Sequence, residues 1–184
     1  MIRTTMKKVM VIGCCGAGKS VFSKKLHTIT GLPLVHLDQC YWQPGWVSTP
    51  TPLWHEKVDQ LVKEERWIID GNYSGTMGIR MKHADTIILL NTPRWKCLYR
   101  ILKRALFGWG RVRSDMAEGC PEKMDINFIR FVFNFHRTHM PVIKAEMAKA
   151  EGKKYVLTNS SEISAFLKCA TVRDRHNSLN SLLI

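Results

Sequence analysis

Eight consecutive residues of this 184-residue chain have the types and spacing that bind the phosphates of a nucleotide. Residues 13–20 read GCCGAGKS and match the pattern G-x-x-x-x-G-K-S/T, whose backbone N–H groups surround the phosphates. Gly13 and Gly18 allow backbone angles that a Cβ would exclude, and Gly16 and Ala17 would keep the concave side open to an anion. We predict that the whole loop binds the nucleotide: Gly13, Cys14, Cys15, Gly16, Ala17, Gly18, Lys19 and Ser20.

The last two residues of this loop carry the most specific chemistry. Lys19 would reach the β- and γ-phosphates, and the Ser20 hydroxyl would bind Mg²⁺. Apolar patterns predict a strand at residues 7–12 and a helix at residues 21–29, and the N-terminus of a helix favours an anion. The alternative is an incidental glycine turn, which the strand and helix on either side argue against.

Two aspartates follow predicted strands and are candidates for holding the metal and the phosphoryl acceptor. The short apolar runs at residues 34–37 and 67–69 predict strands, which Asp38 and Asp70 follow. In an open parallel sheet, ligands bind outside the carboxyl ends of the strands. We predict that Asp38 orients the acceptor or accepts its proton, and that Asp70 holds Mg²⁺ through water. The alternative is that each aspartate only begins a turn.

Phosphoryl transfer also requires cations that neutralise charge on the transferred group. Arg104, Arg111 and Arg113 flank a glycine-containing stretch with little apolar periodicity, near residues 108–124, which is typical of a mobile lid. We predict that Arg104 and Arg111 bind the nucleotide and that Arg104 and Arg113 act in catalysis. Solvated surface charge is the alternative for each of them.

Aromatic residues after Asp38 give the acceptor a candidate stacking surface. Tyr41, Trp42 and Trp46 lie close together in residues 39–52, which we predict to be a functional loop, and Trp46 is our candidate acceptor contact. Aromatic residues in a loop also serve to anchor it to the protein body, and this alternative stays open. Residues 158–161, after the last predicted strand, are placed to line the edge of a base.

The bulk properties narrow the class of partner. The formal net charge is +13, from 28 Lys and Arg against 15 Asp and Glu, which suits a nucleoside triphosphate, nucleic acid or an anionic membrane. The phosphate loop favours the triphosphate. No apolar run of eighteen residues and no signal peptide is evident, so we predict a cytoplasmic protein with no membrane partner.

The six cysteines do not predict a zinc site, because no C-x-x-C pair occurs. Cys14 and Cys15 lie within the phosphate loop. Its N–H groups could lower their thiol pKa values and make them prone to oxidation, or both could simply pack.

Continuous apolar strands alternating with helices predict an α/β fold. Further strands are predicted at residues 86–90 and 154–158, and helices at residues 52–65, 93–107 and 125–150, the last capped by Asp125 and broken at Pro141. This pattern predicts a single P-loop NTPase domain, residues 1–169, with three α/β/α layers, and a frayed polar tail at residues 170–184. For the helix at residues 93–107 we predict an apolar face of Trp95, Leu98, Leu102, Ala105 and Leu106.

The chain also resembles a known family. Its motifs at residues 13–20, 37–38, 67–73, 79–80, 84–87, 93–95, 102–104 and 115–122, and at Trp46, are similar to those of bacterial DNA topology modulation proteins, which are adenylate-kinase-like P-loop proteins. The resemblance covers about residues 7–168. It implies a sheet of the nucleoside-monophosphate-kinase type, with five parallel strands in the order 2-3-1-4-5, and a lid near residues 108–124. By this resemblance Arg80 would bind the anionic group of the acceptor.

The resemblance does not extend to AMP as the acceptor. Adenylate kinases have Gly-x-Pro-Arg after the third strand, where this chain has Asp-Gly-Asn-Tyr at residues 70–73. We therefore predict a phosphotransferase that uses ATP and Mg²⁺ and acts on a small molecule, such as a nucleoside, nucleotide or related metabolite. The alternative, suggested by the family name and the charge, is an ATP-binding DNA-associated protein, although no DNA-binding motif is present.

Overall fold

A computed structural model describes the backbone of residues 6–180 and the side chains of residues 6–171. Residues 1–5, on which part of the signal-peptide prediction depends, lie outside the described residues. So do residues 181–184 of the predicted tail. Within the described part of the chain, no helix has the length and apolar character needed to cross a membrane.

The central element is a five-stranded parallel sheet. The strands of the chain are β1 (Lys8–Gly13), β2 (Leu34–His36), β3 (Trp42–Gln43), β4 (Val47–Ser48), β5 (Trp67–Asp70), β6 (Thr86–Leu90) and β7 (Lys153–Leu157). The sheet has the order β2-β5-β1-β6-β7, and β3 and β4 form a separate hairpin. Numbered within the sheet alone, this is the predicted order 2-3-1-4-5, which is confirmed.

Helices cover the sheet and bury its apolar residues. They are α1 (Lys19–Thr30), α2 (Leu37–Tyr41), α3 (Thr51–Lys63), α4 (Met77–His83), α5 (Arg94–Phe107), α6 (Ile126–Thr138), α7 (Met140–Lys149) and α8 (Ser160–Asn180). Every residue of β5 and β6 is buried, as expected for parallel strands that are covered on both faces. The predicted three-layer α/β/α fold is confirmed.

Several predicted boundaries need correction. Residues 39–52 are not one loop, because they contain most of α2 and the hairpin of β3 and β4. The predicted helix at residues 125–150 is two helices that meet at His139, since Pro141 can begin a helix but cannot continue one. Asp125 caps α6 as predicted, accepting hydrogen bonds from two backbone N–H groups. Helix α8 continues past residue 169, where we predicted the domain to end, as far as Asn180.

The buried face of α5 also differs from the prediction. Leu98 and Ala105 are buried as expected, together with Cys97 and Ile101. Trp95, Leu102 and Leu106 are instead exposed. Two apolar stripes lie side by side on this helix, and periodicity alone does not say which of them packs on the body of the protein.

Candidate active site

The predicted phosphate loop joins the carboxyl end of β1 to the first turn of α1. Gly13, Gly16 and Gly18 have φ angles of 147°, 79° and 100°, which disfavour any residue with a Cβ. A Cβ on Gly13 would lie 2.5 Å from the carbonyl oxygen of Leu90, and one on Gly16 would lie 2.6 Å from that of Cys97. Gly16 is therefore needed for close packing against α5, which corrects its predicted role of clearing space for the anion.

Two cations hold the carbonyl groups of this loop. Lys19 Nζ donates to the carbonyl oxygens of Gly13, at 3.0 Å, and Cys14, at 3.2 Å. From α5, Arg100 donates to those of Gly16 and Ala17, both at 3.1 Å. Arg100 was not among our predicted site residues. Four carbonyl groups of the loop therefore point toward Lys19 or Arg100.

The thiols within the loop are not activated. A hydrogen bond with Cys97, together with burial, raises the pKa of the Cys14 thiol above its ordinary value. Burial also raises the pKa of Cys15. The alternative that we left open, in which both cysteines simply pack, is the one that fits the structure, because raised pKa values leave little thiolate to react.

A cleft of about 1000 Å³ opens beside the phosphate loop and gathers most of the predicted site residues. The predicted residues that line it are Cys15, Gly16, Gly18, Lys19, Ser20, Asp38, Trp46, Asp70, Arg104 and Arg113. The predicted residues that do not line it are Gly13, Cys14, Ala17, Arg80 and Arg111. Arg111 is exposed on the surface.

Asp70, the predicted metal residue, is paired with a histidine. Neighbouring strands place His36 of β2 opposite Asp70 of β5, and His36 Nδ1 lies 3.0 Å from Asp70 Oδ2. Both side chains are buried. This contact uses only Oδ2, and the other carboxylate oxygen has no hydrogen-bond partner among the described residues. The pairing fixes the orientation of the carboxylate at the edge of the cleft.

Asp38, the predicted acceptor residue, lies in the first turn of α2 and is held by Tyr73. The Tyr73 hydroxyl donates to Asp38 Oδ1 at 2.6 Å. Tyr73 has a φ of 38°, and it and Trp46, at 65°, are the two residues other than glycine with positive φ in the described chain. Both line the cleft, and strained backbone of this kind often occurs at functional sites.

The position of Arg80 does not support the acceptor-binding role implied by the family resemblance. Its side chain is fully buried and donates to the carbonyl oxygens of Gly71, Asn72, Tyr73 and Thr76. Burial lowers the pKa of Arg80 to about 9. Arg80 therefore shapes the turn after β5 from behind and does not line the cleft.

The same turn is tied to the phosphate loop. The backbone N–H of Gly13 donates to Asn72 Oδ1 at 3.1 Å. The turn that carries Tyr73 is thus fixed both to β1 and to Arg80. Sequence reasoning missed Asn72 and Tyr73 as site residues, although both belong to the family motif at residues 67–73.

The segment at residues 108–124, which we call the lid segment, brings two arginines onto one glutamate. Glu122 lies 3.0 Å from Arg104 Nε and 2.5 Å from Arg113 Nε. Neither Nε–H group points well enough at the carboxylate to form a hydrogen bond, so both contacts are ion pairs. Arg113 also donates to Asp115 at 2.9 Å. Glu122 and Asp115 are buried and line the cleft, so buried carboxylates hold the two arginines there.

Asp115 connects the lid segment to the predicted metal residue Ser20. Burial alone would raise the pKa of Asp115, but the hydrogen bond with Ser20 and the charge of Arg113 outweigh burial and lower the pKa below its ordinary value. Lys24 and Gln39 fix the adjacent residue, since they donate to the Ser114 hydroxyl and carbonyl oxygens at 2.7 and 2.8 Å. The lid segment is thus closed over α1.

The lid segment also rests on the hairpin of β3 and β4. Trp46 Nε1 donates to the carbonyl oxygen of Pro121 at 3.1 Å, and the backbone N–H of Gly45 donates to that of Gly119 at 2.8 Å. A Cβ on Gly119 would lie 2.8 Å from Pro44. Trp46 therefore anchors the hairpin to the lid segment, which supports the alternative that we left open for the aromatic residues.

Residues 158–161 cap a helix and do not line the cleft. Thr158 and Asn159 donate hydrogen bonds to the Glu162 carboxylate, and Asn159 Oδ1 accepts one from the Glu162 backbone N–H. This reciprocal arrangement satisfies the N-terminus of α8. The predicted contact with a base edge therefore has no support from these side chains.

Sequence reasoning also missed His36, Asp115 and Glu122. Asp115 and Glu122 could have been found from the sequence, because both lie in the family motif at residues 115–122. The arginines nearby also require carboxylate partners if they are to be buried. His36 is the last residue of β2, two positions before Asp38, but its pairing with Asp70 depends on the register between β2 and β5. That register is not readable from the sequence.

Comparison with known proteins supports the fold. No protein-family model and no curated protein matches this chain. The shikimate kinase from Acinetobacter baumannii, solved with shikimate, matches with a TM-score of 0.58 and 13% identity over 90% of each chain. The shikimate kinase from Bacteroides thetaiotaomicron matches with a TM-score of 0.56 and 14% identity, over 90% of this chain and 96% of that chain.

A third solved structure is of another kinase. The gluconokinase from Sinorhizobium meliloti 1021 matches with a TM-score of 0.51 and 10% identity over 96% of each chain. At such low identities these similarities show the fold alone. The resemblance to DNA topology modulation proteins stays a prediction, while the chain has the three-layer fold of P-loop kinases.

Proposed function

We propose that this protein is a phosphotransferase that moves the γ-phosphoryl group of ATP to a hydroxyl group of a small molecule. One observation carries the proposal. A single cleft is lined by the phosphate-loop residues Lys19 and Ser20, by the carboxylates of Asp38 and Asp70, and by the two arginines that pair with Glu122. These are the kinds of group that phosphoryl transfer requires, in one place.

The residues present also suit ATP and Mg²⁺. The loop N–H groups and Lys19 would bind the triphosphate, and the Ser20 hydroxyl and the Asp70 carboxylate would hold the metal, directly or through water. Oxygen donors of this kind are the ligands that Mg²⁺ prefers. When bound, Mg²⁺ neutralises charge on the β- and γ-phosphate oxygens.

The acceptor chemistry falls to Asp38. Its carboxylate would take the proton of the acceptor hydroxyl as that oxygen forms a bond to the γ-phosphorus, while the bond from phosphorus to the β–γ bridging oxygen breaks and ADP leaves. Arg104 and Arg113 would stabilise the charge on the transferred group, and the closed lid segment would exclude water as a competing nucleophile.

A panel assay tests this proposal. Nucleosides, nucleotides, shikimate and other small hydroxyl compounds are incubated with Mg-ATP, and ADP release is measured above the background without acceptor. We expect at least one compound to raise ADP release, and we expect Lys19→Ala and Arg113→Ala each to reduce it about a thousandfold or more.

A matched control separates chemistry from general charge effects. Lys25 is exposed on the same helix as Lys19 and does not line the cleft, so Lys25→Ala should leave ATP affinity unchanged. ATP binding by Lys19→Ala that equals wild-type binding would contradict the role of the loop. The alternative of a DNA-associated protein predicts a preference for one form of DNA at physiological salt, and no feature of the described residues favours it.

A further inference from the structure

The electrostatics of the cleft suggest the chemical class of the acceptor. We propose that the acceptor is an uncharged molecule that carries a flat ring and a hydroxyl group, as a nucleoside does, and not a phosphate-bearing or carboxylate-bearing compound. This inference rests on the proposed phosphotransferase function. It goes further because it follows from which cations of the cleft are left for an acceptor once those held by the protein or assigned to ATP are set aside.

Among the described residues, six cationic side chains line the cleft, and their partners decide the argument. They are Lys19, Lys24, Arg100, Arg104, Arg113 and Lys123. The proposed function assigns Lys19 to the triphosphate, and Arg100 of α5 donates to the carbonyl groups of the phosphate loop. Lys24 donates to Ser114. Arg104 of α5 and Arg113 of the lid segment pair with Glu122, and the proposed function assigns both to the transferred phosphoryl group. Of the six, only Lys123 remains, and it is exposed, with Nζ 5.5 Å from the Trp46 ring centre.

The acceptor end of the cleft, which we define by Asp38, Trp42, Asn72 and Tyr73, is negative and not positive. Asp38 is the only charged residue among these four, and the Tyr73 hydroxyl donates a hydrogen bond to its carboxylate. Arg80 is fully buried behind the turn that carries Asn72 and Tyr73, and it donates to four backbone carbonyl groups. A phosphate or carboxylate beside Asp38 would meet a like charge with no buried cation to offset it.

Much of the cleft lining is apolar and aromatic. Trp42 and Tyr73 line the cleft, and so do Phe128 and Phe131 of α6 and Met116 of the lid segment. Phe128 and Phe131 are stacked with ring centres 6.3 Å apart and an angle of 16°. Apolar and aromatic walls with few polar groups bind flat, largely uncharged ligands. A hydroxyl group would satisfy Asp38.

Matched pairs of ligands test the inference. Each of adenosine, guanosine, cytidine and uridine is compared with its own 5′-monophosphate, so that only the charged group differs. Binding is measured by isothermal titration calorimetry in the presence of Mg²⁺ and a non-hydrolysable ATP analogue, and shikimate and glucitol are included. We expect at least one nucleoside to bind at least tenfold more tightly than its monophosphate, than shikimate and than glucitol.

Two variants show where the ligand binds. Trp42→Ala should weaken binding of that nucleoside at least tenfold, because it removes an aromatic wall. Lys123→Ala should leave nucleoside binding unchanged. If Lys123 instead recruits an anion, monophosphates bind more tightly to the wild type than nucleosides do, and Lys123→Ala abolishes that advantage, which would overturn the inference.

The outcomes also separate this inference from the proposed function. If the ATP analogue binds and no nucleoside does, or if monophosphates or shikimate bind as tightly as nucleosides, the acceptor class is wrong while the proposed function stands. If glucitol is the only compound that binds tightly, the inference that the acceptor carries a flat ring is wrong. If the ATP analogue itself does not bind with Mg²⁺, the proposed function fails first.

Discussion

The hydroxyl group of Tyr73 donates a 2.6 Å hydrogen bond to the carboxylate of Asp38. Burial, followed by the charge of Asp38, raises the pKa of Tyr73, so the hydroxyl stays protonated and continues to donate. Arg80 and Asn72 fix the backbone on either side of this contact. A strained residue that is held from behind and aimed at a carboxylate is expected to orient that carboxylate.

We predict that Tyr73→Phe lowers kcat/KM for the acceptor by about tenfold to a hundredfold, because a hydrogen bond to a charged group is worth about 1.5–3 kcal/mol. The affinity for ATP should not change. The control is Tyr41→Phe, which removes a hydroxyl from the neighbouring ring, 4.7 Å away, that does not line the cleft. Equal losses of activity in the two variants would show that Tyr73 only packs.

Glu122 should hold the lid segment closed. We predict that Glu122→Gln lowers the free energy of local opening by about 1–2 kcal/mol, since it removes the carboxylate that pairs with Arg104 and leaves Arg113 paired with Asp115 alone. Hydrogen exchange of amides in residues 108–124 should then be about fivefold to thirtyfold faster. Glu118→Gln is the matched control, because Glu118 is exposed in the same segment. Exchange that is unchanged in Glu122→Gln would remove Glu122 from this role.

The sequence predicted the parts of the site that depend on local spacing. The phosphate loop requires only eight consecutive residues, and apolar runs located all five strands of the sheet. Asp38 and Asp70 follow from the same reasoning, because parallel strands end on one edge. These features depend on residues that are near each other in the chain, so periodicity and turn chemistry are sufficient to find them.

The contacts between distant segments were not predicted. The pairing of His36 with Asp70 depends on strand register, and that of Arg104 with Glu122 depends on how the lid segment folds. Arg80 shows the converse error. A motif gave it a ligand role, but burial in the fold directs its donors to backbone carbonyl groups. Burial is a tertiary property that a motif does not report.

Replacing Gly16 in the phosphate loop should lower stability. We predict that Gly16→Ala lowers the free energy of unfolding by about 2 kcal/mol or more, because φ is 79° and a Cβ would lie 2.6 Å from a carbonyl oxygen. Gly78→Ala is the control. Gly78 lies in α4, and a Cβ added there would have no atom within 4 Å, so alanine should raise stability by about 0.5–1 kcal/mol. Urea denaturation measures both, and a Gly16→Ala variant as stable as the wild type would refute the packing argument.

Asp115 should make stability depend on pH. Its pKa is lower in the folded protein than the ordinary value of about 3.9, so the folded state binds fewer protons than the unfolded state in that range. The stabilisation is therefore complete above about pH 4 and is lost as the pH falls through the folded pKa.

We predict that Asp115→Asn is less stable than the wild type at pH 7 and that the gap narrows below about pH 4, as measured by urea denaturation across this range. Asp59→Asn, which removes an exposed partner of Lys63, should show a gap of less than about 1 kcal/mol at every pH. A gap for Asp115→Asn that stays constant from pH 7 to pH 3 would mean that the charge of Asp115 does not stabilise the fold. In that case its contact with Ser20 and Arg113 would contribute through packing alone.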